Sequence, residues 1–84
     1  MNAKQKKTLA DVFIDPASGT IKWAGIESLL KAVGCRVIEG AGSRVKFELN
    51  GVIASFHRPH PHPTAKHYQV RDAREFLTKL GVKP

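Results

Sequence analysis

Apolar and polar positions alternate with a period of two on both sides of Asn50-Gly51, and the two runs place Val45, Phe47 and Leu49, then Val52, Ala54 and Phe56, on one face. Asn-Gly most strongly specifies a two-residue type I′ hairpin turn, because both residues tolerate positive φ. With that pair as the loop, Leu49 faces Val52, Phe47 faces Ala54 and Val45 faces Phe56. The other face then pairs Glu48 with Ile53, Lys46 with Ser55 and Arg44 with His57. Upstream the period becomes helical: Ile26, Leu29, Leu30 and Val33 fall at i, i+3, i+4 and i+7, and Gly34 stands where a left-handed cap belongs. Trp23 opens this pattern as a core-edge residue, and Thr20 is a candidate N-cap.

Cys35 to Glu39 predicts a short strand, joined to the hairpin by the flexible turn Gly40-Ala41-Gly42-Ser43. After the hairpin, Pro59 to His67 reads as a loop stiffened by three prolines. Val70, Ala73, Phe76, Leu77 and Leu80 mark a second core helix closed by Gly81, with Asp72 near its start and Lys79 near its end set to complement the dipole. At the other end of the chain, Leu9, Val12 and Phe13 predict a helix over 4–13, which Asp15-Pro16 terminates. Loops this short make the three strands an antiparallel meander. Both core helices carry one apolar stripe, so both belong on the apolar face of the sheet. The expected fold is a two-layer α+β sandwich of order α-β-β-β-α, the topology of double-stranded-RNA-binding domains, with an extra N-terminal helix. Residues 1–19 form that extension and its turn, read as a cover for apolar surface, and 20–84 form the domain.

Composition narrows the choice of partner. Fourteen Lys and Arg against seven Asp and Glu give a net charge of +7 and a pI near 10, which favours polyanions. Lys4, Lys6 and Lys7 supply part of this excess from the N-terminal stretch, and the remainder is still basic. Nucleic acid is the favoured partner. Nothing in the pattern marks a membrane span or a secretory leader, so the cytoplasm is the expected compartment. The single cysteine, Cys35, excludes an internal disulfide and a cysteine-based zinc site, and its surroundings suggest a buried thiol.

The chemistry is concentrated at one end of the hairpin. A guanidinium opposite an imidazole, Arg44 against His57, followed by Arg58-Pro59-His60-Pro61-His62, forms a cationic platform that includes titratable groups. Cutting RNA without a metal needs a base for the 2′-OH proton, an acid for the leaving oxygen and positive charge on the phosphorane. His57 fits the base or acid, His60 a second proton carrier, and Arg44 the phosphate clamp, since a guanidinium donates two parallel hydrogen bonds. Lys46, Arg58, Lys66 and Arg71 are expected to follow the backbone, and Ser43 to serve as a turn residue or phosphate contact. Each histidine also has a plain reading as an exposed residue without a role, which fits His62 and His67 best. The tract His57, His60 and His62 raises a metal site as an alternative, but no Asp or Glu stands nearby and the prolines restrict convergence of the rings. No cofactor is expected.

Over roughly Ile21 to Val82 the chain resembles the HicA family, small toxins of toxin–antitoxin pairs described as mRNA interferases with a double-stranded-RNA-binding-like fold. The resemblance rests on Trp23 and the leucine-rich helix ending at Gly34, on Gly42-Ser43 before the second strand, on Pro59-His60 after the third, and on the final helix ending in Leu80-Gly81. It implies an endoribonuclease acting on mRNA and a HicB-like antitoxin as partner. In the family the second strand opens with Gly-Ser-His, and that histidine is the catalytic candidate. Here the third position is Arg44, and His57, across the ladder, offers an imidazole to the same patch. The alternatives in other classes are a non-catalytic RNA-binding module or regulator of the same fold, and a structural or metal-binding accessory protein.

Overall fold

The computed structural model describes residues 1–84. Its elements are α1 (Ala3–Val12), α2 (Trp23–Val33), β1 (Arg36–Glu39), β2 (Arg44–Leu49), β3 (Val52–His57) and α3 (His67–Lys79). The sheet is an antiparallel meander in the order β1-β2-β3, so the α+β sandwich of double-stranded-RNA-binding type is the fold observed. The hairpin has the expected register throughout, from Leu49 opposite Val52 to Arg44 opposite His57. Asn50 (φ 53°) and Gly51 (φ 80°) both take positive φ, as a type I′ turn requires.

Alternation divides the sheet into two different faces. Val45, Phe47 and Phe56 are buried and join Ile26, Leu29 and Leu30 of α2 and Val70, Ala73, Phe76 and Leu77 of α3 in one core. Trp23 seals its edge, with its ring centroid 5.0 Å from that of Phe56 and 6.5 Å from that of Phe47. Leu9 and Val12 of α1 belong to the same core. The extension therefore packs on its own chain, held further by a hydrogen bond from Gln5 Nε2 to Ser28 Oγ (2.9 Å) and by Arg74, which donates to the carbonyls of Val12 (2.9 Å) and Ile14 (2.6 Å).

Both core helices end in the same way. The Gly34 amide donates to Lys31 and that of Cys35 to Leu30; on α3, Gly81 donates to Thr78 and Val82 to Leu77. These are the paired bonds of a Schellman motif, and both glycines carry the required positive φ. The helix starts differ from expectation. Thr20 bonds to Ser18 instead of capping α2, which begins after Lys22. The first amide of α2, on Trp23, is satisfied by the Pro63 carbonyl (2.9 Å), and the Ala65 amide donates to Ile21 (2.8 Å). The proline loop thus lies along the entry to α2, something local sequence cannot signal. The third helix starts at His67, inside the expected loop, so Asp72 falls in its second turn and its first turn holds no acidic residue. Lys79 does lie in the last turn. Cys35 is buried and precedes the strand, and burial, with Glu48 nearby, raises its thiol pKa above the ordinary value.

Candidate nucleic-acid interface

The face of the sheet turned away from the helices carries three rows of side chains. Arg36, Glu48 and Ile53 form one, Ile38, Lys46 and Ser55 the next, and Arg44 and His57 the last. Arg44, Lys46, Ser55 and His57 are all exposed. Arg36 donates to Glu48 (3.3 Å), and Glu48 also accepts the Gly51 amide (2.9 Å) at the turn. These two bonds, that from Gly51 first, hold the Glu48 carboxyl below its usual pKa. No salt bridge occupies Arg44 or Lys46, so their charge is available at the end of the face where His57 stands.

Arg58 lies elsewhere, although it was expected to follow an RNA backbone. Adjacent strand residues point to opposite faces, so with His57 outward Arg58 turns toward the helices. Its Nε donates to Glu27 Oε2 (2.6 Å), and Nη1 and Nη2 donate to the two carboxylate oxygens of Glu39 (2.7 and 2.9 Å). Glu27 is only 15% exposed and also accepts the indole N–H of Trp23. Burial pushes the Glu27 carboxyl up, but the bonds from Arg58 and Trp23 outweigh it and leave the pKa below the ordinary value. The Glu39 carboxyl is lowered chiefly by its bond from Arg58, and the guanidinium is held above its usual pKa by Glu39 and then Glu27. These bonds engage all three guanidinium nitrogens, so most of the fork is taken up by carboxylates of the chain itself. The fork ties the end of β3 to α2 and β1.

The remaining predicted residues lie around the rim. Ser43 precedes β2 with its carbonyl accepting the Arg58 amide (2.9 Å), which extends the ladder by one pair beyond Arg44 and His57. His60 is exposed in the loop, and its bond to Pro61 is cis. Lys66 is the residue before α3, and Arg71 is exposed on α3 in the helical layer, not on the sheet face. His57 is the one histidine that the ladder places beside Arg44. Nowhere do three or more His, Cys, Asp or Glu side chains converge as a metal-binding group.

One supporting residue escaped sequence reasoning. Gln69 is 2% exposed and is the only buried polar side chain. Its Nε2 donates to the His57 carbonyl (2.6 Å), and its Oε1 accepts the Lys66 amide (3.0 Å). The start of α3 is therefore anchored to the strand end that carries the candidate imidazole. The signal was present: Gln69 occupies a place in the stripe Gln69, Ala73, Phe76, Leu80, where an amide needs a partner once buried.

A three-stranded sheet with its helices on one face and a basic row on the other defines a small α+β protein whose fold is like that of double-stranded-RNA-binding domains. Residues 23–82 match the HicA toxin family, described as the HicA toxin of bacterial toxin-antitoxin, and the chain belongs to that family. No curated protein and no solved structure matches it. No helix is long and apolar enough to cross a membrane. As a HicA-family member the chain is the toxin of a toxin–antitoxin pair, and an antitoxin is implied as its partner.

Proposed function

We propose that this toxin is an endoribonuclease that holds mRNA against the open sheet face and cuts it by metal-independent acid–base chemistry. The observation that carries the reading is the cross-strand pair Arg44 and His57, a cation and an imidazole directly opposite each other on an exposed face. Arg44 clamps the scissile phosphate through two parallel hydrogen bonds and offsets the charge that grows on the phosphorane. His57 takes the 2′-OH proton. The leaving 5′-oxygen needs a proton in return, and His60 on the adjoining loop supplies it. Lys46 and Ser43 contact neighbouring phosphates, with Lys66 and Arg71 reached by longer RNA past the rim. Arg58 has no part in this. A HicB-like antitoxin that covers the basic face and the cytoplasm as the place of action complete the reading.

The test is incubation of the purified chain with a long labelled RNA in EDTA, beside a His57→Ala variant whose folding is checked by circular dichroism. The parent is expected to cut, and the variant to bind RNA while losing at least about 100-fold in rate, the scale of one general acid–base residue. Equal cleavage by a folded variant would remove His57 from the site. One observation favours a second reading: Arg44 stands where the family places its histidine. Intact RNA shifted by both proteins would make the chain a non-catalytic RNA-binding module.

A further inference from the structure

The outer edge of β3 is open along its middle. The Arg58 amide donates to Ser43 and the Gly40 amide to the Arg44 carbonyl, so in β2 and β3 the pairs 43/58, 45/56, 47/54 and 49/52 exchange the ladder bonds. Ile53, Ser55 and His57 therefore direct their amides and carbonyls away from β2. The His57 carbonyl is taken by Gln69, while the groups of Ile53 and Ser55 meet no other part of the chain. Edge strands are commonly blunted by lysine, proline or a bulge, yet Val52–His57 carries none of these, and Ile53 is 56% exposed.

A groove runs along this edge. It is lined by the consecutive residues Ile53, Ala54, Ser55 and Phe56 on one side and by Asp72, Glu75, Phe76 and Lys79 of α3 on the other. A hollow on one sheet face would meet only alternate residues, so the consecutive lining places it beside the strand. Open to solvent, it has a volume of about 160 Å³, which is room for one side chain of an added strand. Phe76 is apolar at its floor, and two carboxylates stand beside a single lysine that is itself paired with Glu75 (3.3 Å). Asp72 is left without a basic partner, so the lining carries a net charge of −1 on a chain of charge +7.

From these features we infer that the β3 edge is a docking site for an extended segment of a protein partner, added as a fourth strand with a Lys or Arg side chain lying over Phe76 toward Asp72 and Glu75. The alternating amides and carbonyls match another strand, and the carboxylates repel the phosphates of a nucleic acid. An antitoxin as the source of the segment rests on family membership; the edge geometry does not depend on it. The added strand by itself leaves the open face uncovered, so strand addition and RNA binding use different surfaces, and an antitoxin docked here covers the basic face with another part of its chain.

The test uses the full, isotope-labelled chain and a capped seven-residue peptide that alternates threonine with valine and carries one central lysine in register with the valines. Amide exchange at Ile53 and Ser55 is expected to slow on adding the lysine peptide. Binding should weaken about tenfold when glutamate replaces that lysine, or when the protein carries Asp72→Lys with Glu75→Lys. No change at those two amides with millimolar peptide, or equal binding of both peptides, overturns the inference. So does protection that grows with protein concentration alone, since a second copy then covers the edge, or protection by a short RNA. RNA cleavage measured on the double variant separates the two proposals: a folded variant that still cuts but no longer binds the peptide supports docking, loss of cutting assigns the edge to the RNA surface, and a parent that never cuts fails the ribonuclease reading alone.

Discussion

Arg58 shows how one residue's direction decides its role. It sits next to His57 in a basic tract, yet its guanidinium is spent on Glu27 and Glu39. Because Glu27 is largely buried, removing its charge leaves a guanidinium and an indole N–H short of an acceptor. Glu27→Gln is expected to lower stability by about 2 kcal/mol at pH 7, measured by urea unfolding. The pH dependence has a definite sign. Glu27, Glu39 and Glu48 are all held below their ordinary values, so the folded state binds fewer protons than the unfolded one in the carboxylate range. Their stabilisation is complete above the unfolded pKa, about 4.3 for a glutamate, and is lost as pH falls through the lowered folded values. The gap between parent and Glu27→Gln should therefore narrow in acid; a gap that stays constant to pH 2 would show that the carboxylate charge is not what matters.

At the scale of elements, α1 shares the core of the family domain although it precedes the matched residues 23–82. Its mean composition is polar, but Leu9 and Val12 are buried and Arg74 of α3 holds its last carbonyls. Leu9→Ala is expected to cost about 2–3 kcal/mol in thermal or urea unfolding, whereas Lys6→Ala, fully on the solvent side, should stay within about 0.5 kcal/mol. If both changes were neutral, α1 would be an appendage and not part of the folding unit. The proline loop is comparable: its Pro63 carbonyl caps α2 from a distance in sequence, replacing the side-chain cap that the helix lacks.

For the whole molecule, charge is divided between surfaces. Net charge alone would spread RNA affinity over every lysine and arginine, but Arg58, Arg36 and Lys7 are each paired with a carboxylate, and Arg74 is occupied by backbone carbonyls. Arg44 and Lys46 have no such partner on the open face. Each phosphate contact adds about 0.7 to the magnitude of the salt slope for a single strand. Arg44→Ala should thus reduce the slope of log K against log salt by about 0.7 in a titration with single-stranded RNA, while Lys7→Ala should leave it unchanged. Equal losses from the two changes would mean that binding follows net charge and not the sheet face.

Much of this arrangement was legible along the chain because it is local. Asn50-Gly51 sets the hairpin, period-two alternation sets which residues share a face, and Gly34 and Gly81 end their helices through backbone φ; none of these needs a distant partner. The same alternation implies that Arg58 turns inward once His57 is placed outward, although the tract reads as one cationic platform, and only the register of β1 against β2 put Glu39 opposite Val45 on the helical side. What the chain could not reveal is where long-range hydrogen bonds go. Gln69 reaching His57, Pro63 capping Trp23, Arg74 closing α1 and the Glu27–Arg58–Glu39 cluster join residues far apart in sequence, and such pairings exist only once hydrophobic burial has brought the layers together. The period of the side chains determined the sheet and its two faces; the packing of α2 and α3 on one of them, with α1 against those helices, decided which charges are consumed inside the fold and which remain for a partner.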